Sequence, residues 1–120
     1  MANSGVSMGE VNLKDLINQY NIEKGWDVTD DNEELYEVFE ECSTTVAMGE
    51  PDEHRWWTGY DVVRMFTVGG VDYFFSDYVM RADGDNSRED CGWETPDINT
   101  IEQVFPKVVP TTIYVSKDKL

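Results

Sequence analysis

Apolar side chains recur at helical spacing between residues 13 and 20. Leu13, Leu16, Ile17 and Tyr20 stand at i, i+3, i+4 and i+7, while Lys14, Asp15, Asn18 and Gln19 fall on the other side. Asn12 is a capping residue just before this run and Gly25 a terminator after it, so a helix is predicted over Asn12 to Ile22, its stripe laid on a sheet. From Arg55 onwards the pattern is that of a strand. β-branched and aromatic residues fill Arg55 to Val68, the pair Gly69-Gly70 interrupts them, and Val71 to Met80 resumes, which predicts a long hairpin turning at the glycines. Trp56, Tyr60, Val62 and Phe66 share one parity and Trp57, Val63 and Met65 the other, so at least part of each face is covered. Two further strand-like runs, Ile98 to Phe105 and Val108 to Val115, are separated by Pro106-Lys107, and Pro110 marks the second as an edge.

Residues 30 to 46 fit two patterns. Asp30, Asp31 or Asn32 can cap a helix whose stripe is Leu35, Val38, Phe39 and Cys42, whereas Tyr36, Val38 and Ser43-Thr44-Thr45-Val46 suit a strand. A short helix running into a strand is the favoured reading. The expected fold class is α+β, an N-terminal helix packed on a mainly antiparallel sheet of four to five strands. Residues 1–9, rich in Ser, Gly and Asn, are expected to be a flexible tail, and 10–120 a single domain, as suits a chain of 120 residues.

Charge changes the picture. There are 25 acids against 9 bases, a net charge of -16, and the hydrophobic share of 40% is still enough to build a core. The acids are unevenly placed. Asp27, Asp30, Asp31, Glu33, Glu34, Glu37, Glu40, Glu41, Glu50, Asp52 and Glu53 crowd the stretch from Trp26 to Glu53, which holds no Lys or Arg, while residues 104–117 hold no acid. Such crowding works against a compact state through self-repulsion. If Asp27 to Glu41 formed one helix, its 8 carboxylates would give one charge per ~3 Å, near the roughly 3.4 Å of a single DNA strand. The same field repels nucleic acid and anionic membranes directly, so the expected partner is a basic protein. No secretory leader and no membrane-length apolar run is present, which places the expected location in the cytoplasm.

Candidate chemistry adds little. His54 is the one histidine and has no Cys-x-x-Cys or second His to complete a metal or hydrolytic site. Cys42 sits on a predicted core face, and both Cys42 and Cys91 are taken as reduced thiols. Asp83, Asp85, Ser87, Glu89 and Glu94 stand at positions 1, 3, 5, 7 and 12 of a calcium loop, but Arg88 occupies the position that needs Gly. No catalytic residue, metal or cofactor is expected. Trp56, Trp57, Tyr60, Tyr73, Phe74 and Phe75 form an aromatic cluster that reads mainly as core, with some rings bordering the acidic face where they can anchor a partner.

In type, a small and very acidic chain of this kind resembles the phage-encoded inhibitors that mimic DNA, among them anti-restriction and anti-CRISPR proteins. The features that carry the resemblance are the acids of residues 27–53 and a second group, Asp83, Asp85, Glu89, Asp90, Glu94 and Asp97. It implies an inhibitor that is not an enzyme and that occupies the DNA- or RNA-binding site of a basic, nucleic-acid-binding host protein, often a defence protein, in the host cytoplasm. Two other classes fit the composition: a non-catalytic phage structural or assembly subunit, and an ordinary acidic domain of a halophile.

Overall fold

The computed structural model describes residues 9–84, 86–106 and 117. The element order is α1 (Leu13–Lys24), α2 (Asn32–Cys42), β1 (Thr44–Met48), β2 (Asp52–Glu53), β3 (Trp57–Val68), β4 (Val71–Ala82), a 3-10 turn (Ile98–Thr100) and β5 (Gln103–Val104). The fold is α+β, with two helices on a mainly antiparallel sheet. Most of the expected tail and the expected strand Val108 to Val115 lie outside the described residues.

The hairpin is the frame. β3 and β4 pair in unbroken register from Trp57–Ala82 to Val68–Val71. Gly69 and Gly70 both have positive φ, 60° and 78°, the backbone that a two-residue turn matched to strand twist requires. β1 and β2 pair successively along the free edge of β3, and β5 pairs with β4 at Phe74 and Phe75. Alternation turns Val62, Arg64, Phe66 and Val68 of β3, with Phe75 and Asp77 of β4, towards the helices.

The helices cover that face. Asn12 caps α1 by accepting from the Asp15 amide, and Gly25 ends it with φ 76°. Leu13, Leu16 and Ile17 of α1 join Leu35, Tyr36 and Phe39 of α2 in one core with Phe66, Val68, Phe75 and Ile98. Phe39 is its centre, edge-on to Phe66 at 5.9 Å and to Phe75 at 5.7 Å.

The favoured reading of the acidic stretch, a short helix running into a strand, is what forms, as α2 and then β1. Asn18 receives the Thr29 amide and Asp31 caps α2 through the Glu33 and Glu34 amides, so residues 26–31 are an anchored loop and the helix starts only at Asn32. One expectation is corrected. Ile98 to Phe105 is not one strand, because Asp97 caps a 3-10 turn and Asn32 holds the Pro96 carbonyl and the Ile98 amide. Only Gln103–Val104 reaches the sheet.

Candidate functional site

The stripe that buries α2 decides which of its acids face water. With Leu35, Tyr36 and Phe39 buried, Glu33, Glu37 and Glu41 line up at four-residue steps on the open side, with Glu34 beside them. Glu33 and Glu34 lie in the first turn, where the helix dipole favours them. Glu37 and Glu41 have no such help, and like charges four residues apart cost about 0.2–0.5 kcal/mol per pair. The last turn holds no basic residue to offset them. The result is a ridge of carboxylates kept against a local electrostatic cost.

Grooves flank the ridge. On one side a groove of about 930 Å³ is lined by Asp31, Asn32, Glu33, Glu89, Trp93 and Glu94, which joins the first acidic stretch to the second. Another, of about 420 Å³, is lined by Trp26, Asp27, Val28, Glu34 and Glu37 together with Asn21. The segment 83–94 then continues the acids to the open end of the hairpin. The Asp83 amide donates to the Trp56 carbonyl, and Asp90 and Cys91 line a third groove, of about 390 Å³, with Trp56 and Trp57. Trp56 is 55% exposed there, near the connection that carries Glu50, Asp52 and Glu53. The expected aromatic border of the acidic face is therefore these two tryptophans, whereas Phe75 is core.

Ten of the eleven carboxylates expected at the site, Asp27, Asp30, Asp31, Glu33, Glu34, Glu37, Glu41, Glu50, Asp52 and Glu53, are exposed. Glu40 is not on the open surface. It is a half-buried clamp whose two oxygens accept from Arg88 at 2.8 and 3.1 Å, with Arg64 at 3.8 Å. Arg88 also lies 3.8 Å from the Trp93 ring centroid, so one guanidinium fastens the 83–94 segment to α2. Lys14 pairs with Asp30 at 2.8 Å and holds that carboxyl below its ordinary range through this hydrogen bond. The absence of bases between Trp26 and Glu53 is a property of the chain and not of the space around it.

The Arg88 hydrogen bond likewise holds the Glu40 carboxyl below its ordinary value of 4.5, against the opposing effect of burial. A depressed carboxyl stabilises the fold above its unfolded value, and the contribution is lost as pH falls through the folded value. Stability is thus expected to drop on acidification below about 4.5. Urea titrations at descending pH should show a flatter acid limb for Glu40→Gln; parallel limbs would mean that the clamp contributes nothing to it.

Beneath α2 lies a buried polar group that no spacing argument had singled out. Arg64 and Asp77 pair at 2.8 Å, and the Tyr36 hydroxyl donates to the same Asp77 oxygen at 2.8 Å. Burial first, and then the Asp77 carboxylate, push the Tyr36 phenol up, so it remains a donor. The group is enclosed by the core and holds the helix to the sheet.

The remaining candidates are local structure. His54 Nε2 donates to the Asp52 carboxylate at 3.0 Å and stacks on Trp57 at 3.7 Å. Cys42 packs against the core, and both cysteines are free thiols. Asp85 of the calcium-like loop lies outside the described residues, and Arg88 turns away from that loop to Glu40. Among the described residues no three His, Cys, Asp or Glu side chains converge as metal ligands do, and no helix is long and apolar enough to cross a membrane. No family model, no curated protein and no solved structure matches the chain.

Proposed function

We propose that the chain is an acidic inhibitor that mimics nucleic-acid charge and occupies the basic DNA- or RNA-binding site of a host protein, its carboxylates standing where that site receives phosphates. The observation that carries this reading is the exposed ridge of α2 with acidic grooves on both flanks. Glu33, Glu34, Glu37 and Glu41 place four carboxylates over roughly 12 Å of helix axis. Their spacing of about 3–4 Å is close to the roughly 3.4 Å between charges along one DNA strand. The ridge is shorter than a single helix over the whole acidic stretch would be, and the second group of acids, brought alongside by Arg88, widens it.

The reading requires binding that is ionic and exclusive with nucleic acid. Immobilised protein should retain DNA-binding proteins from a bacterial lysate and release them to duplex DNA. Release should also follow as salt rises from about 0.15 M towards 1 M, where the screening length shrinks from about 8 to about 3 Å. Retention that ignores both DNA and salt would refute charge mimicry. A non-catalytic assembly subunit is the second reading, favoured by an apolar groove of about 380 Å³ on the sheet face away from the helices, lined by Val46, Val63, Phe74, Val104 and Phe105. Its signature in the same samples is self-association in the ultracentrifuge that persists at high salt.

A further inference from the structure

The groove between the C-terminal end of α1 and the ridge is lined by a residue whose buried side-chain acceptor has nothing to accept. Asn21 is 2% exposed, lines that groove, and its Oδ1 has no hydrogen-bond partner. Its orientation is dictated by neighbours whose polarity is unambiguous. The Thr29 amide donates to Asn18 Oδ1 and the Thr29 carbonyl accepts from Asn18 Nδ2, both at 2.9 Å, so the backbone fixes which way the Asn18 amide faces. Asn18 therefore offers Asn21 an oxygen, and Asn21 must answer with Nδ2, at 3.2 Å. Flipping Asn21 would set two oxygens against each other, so the unpartnered atom is the oxygen. A buried acceptor left in this state carries a desolvation cost that a donor from outside would remove.

The walls select the donor. Asp27, Glu34 and Glu37 make the groove anionic, while Trp26, Val28 and Val38 give it apolar surface. Trp26 is 50% exposed and leans edge-on against Tyr20, which holds the ring in place. A guest that stacks on an indole, lays an apolar stem on valines and offers several N–H groups to one neutral and several charged oxygens is a guanidinium on a chain. A lysine ammonium satisfies the charge but neither stacks as a plane nor forks between acceptors. The molecule already pairs these parts once internally, where Arg88 lies on Trp93 and forks onto Glu40.

We propose that this groove is an arginine-binding pocket, in which one arginine of the basic partner stacks on Trp26 and donates to Asn21 and to Glu34 or Glu37. The proposal rests on the acidic-inhibitor reading and adds to it a point of specificity that charge alone does not provide. Calorimetric titration with hexa-arginine and hexa-lysine peptides separates the two. Equal charge gives equal long-range attraction, so stacking and forked hydrogen bonding are expected to make hexa-arginine about two- to five-fold tighter at one salt concentration. Trp26→Ala removes no charge and should abolish the preference without weakening hexa-lysine. Asn21→Ala should do the same, and Trp26→Ala keeps the question open to test if the buried substitution unfolds the chain. Equal affinities, or a preference that survives Trp26→Ala, overturn the pocket and leave the acidic reading standing. Failure of both peptides to bind overturns that reading and the pocket with it.

Discussion

Asp77→Ala is expected to cost the fold about 3–5 kcal/mol, the penalty for removing one partner of a buried ion pair. Arg64 is 5% exposed and Asp77 7%, and the guanidinium lies beneath the Phe39 ring at 5.8 Å, where water cannot replace the lost carboxylate. The nearest alternative, Glu40 at 3.8 Å, is already committed to Arg88. Tyr36 loses its acceptor in the same step. Against a total stability of about 5–15 kcal/mol for a small domain, the loss is a large share. Urea denaturation at neutral pH measures it. The double replacement Arg64→Met with Asp77→Leu should recover part of the loss, because it removes the unpaired buried charge while the Tyr36 hydroxyl still lacks its acceptor. A single-variant cost below about 1 kcal/mol would show that solvent reaches the pair after all.

Arg64 and Asp77 also mark what the sequence could have disclosed. Each is a charge at a core-parity position: Arg64 between Val62 and Phe66, and Asp77 two residues after Phe75. Once the turn is set at Gly69-Gly70, the register brings Arg64 opposite Phe75 and Asp77 opposite Val62, which makes the two charges diagonal neighbours on the buried face. Two opposite charges that break the same apolar row are a signal, and it was legible. The hairpin and α1 were legible for simpler reasons, since a positive-φ glycine pair, an Asn cap and a terminal Gly act over a few residues. The acidic block was ambiguous because both readings were locally true: Asp31 starts a helix and the β-branched run after Cys42 is a strand. What could not be read was pairing at a distance. Arg88 reaches Glu40 across 48 positions and Asn32 holds Ile98 across 66, so neither the burial of Glu40 nor the 3-10 turn leaves a trace in local periodicity. The unpartnered oxygen of Asn21 is hidden for the same reason, as it depends on how Thr29 docks onto Asn18.

Replacing Glu33, Glu34, Glu37 and Glu41 together by Gln, with Glu40 left to hold Arg88, is expected to remove most of the affinity for a basic partner. Each exposed charge contributes about 0.2–1 kcal/mol, so four sum to about 1–4 kcal/mol, a loss of roughly five-fold to several hundred-fold. Single substitutions should each fall near the limit of measurement. Stability moves little, because the terms oppose. Relieving Glu33–Glu37 and Glu37–Glu41 gains about 0.2–0.5 kcal/mol per pair, while losing two negative charges from the first turn forfeits about 0.3–1 kcal/mol each. The quadruple variant should therefore melt close to the parent while binding far more weakly, and that separation of binding from folding distinguishes a functional surface from a merely solvating one. An ordinary acidic domain of a halophile predicts the reverse: partner binding unaltered, and a change confined to stability as salt is varied. If the quadruple variant competes with duplex DNA for the partner as well as the parent does, the ridge is not the binding surface.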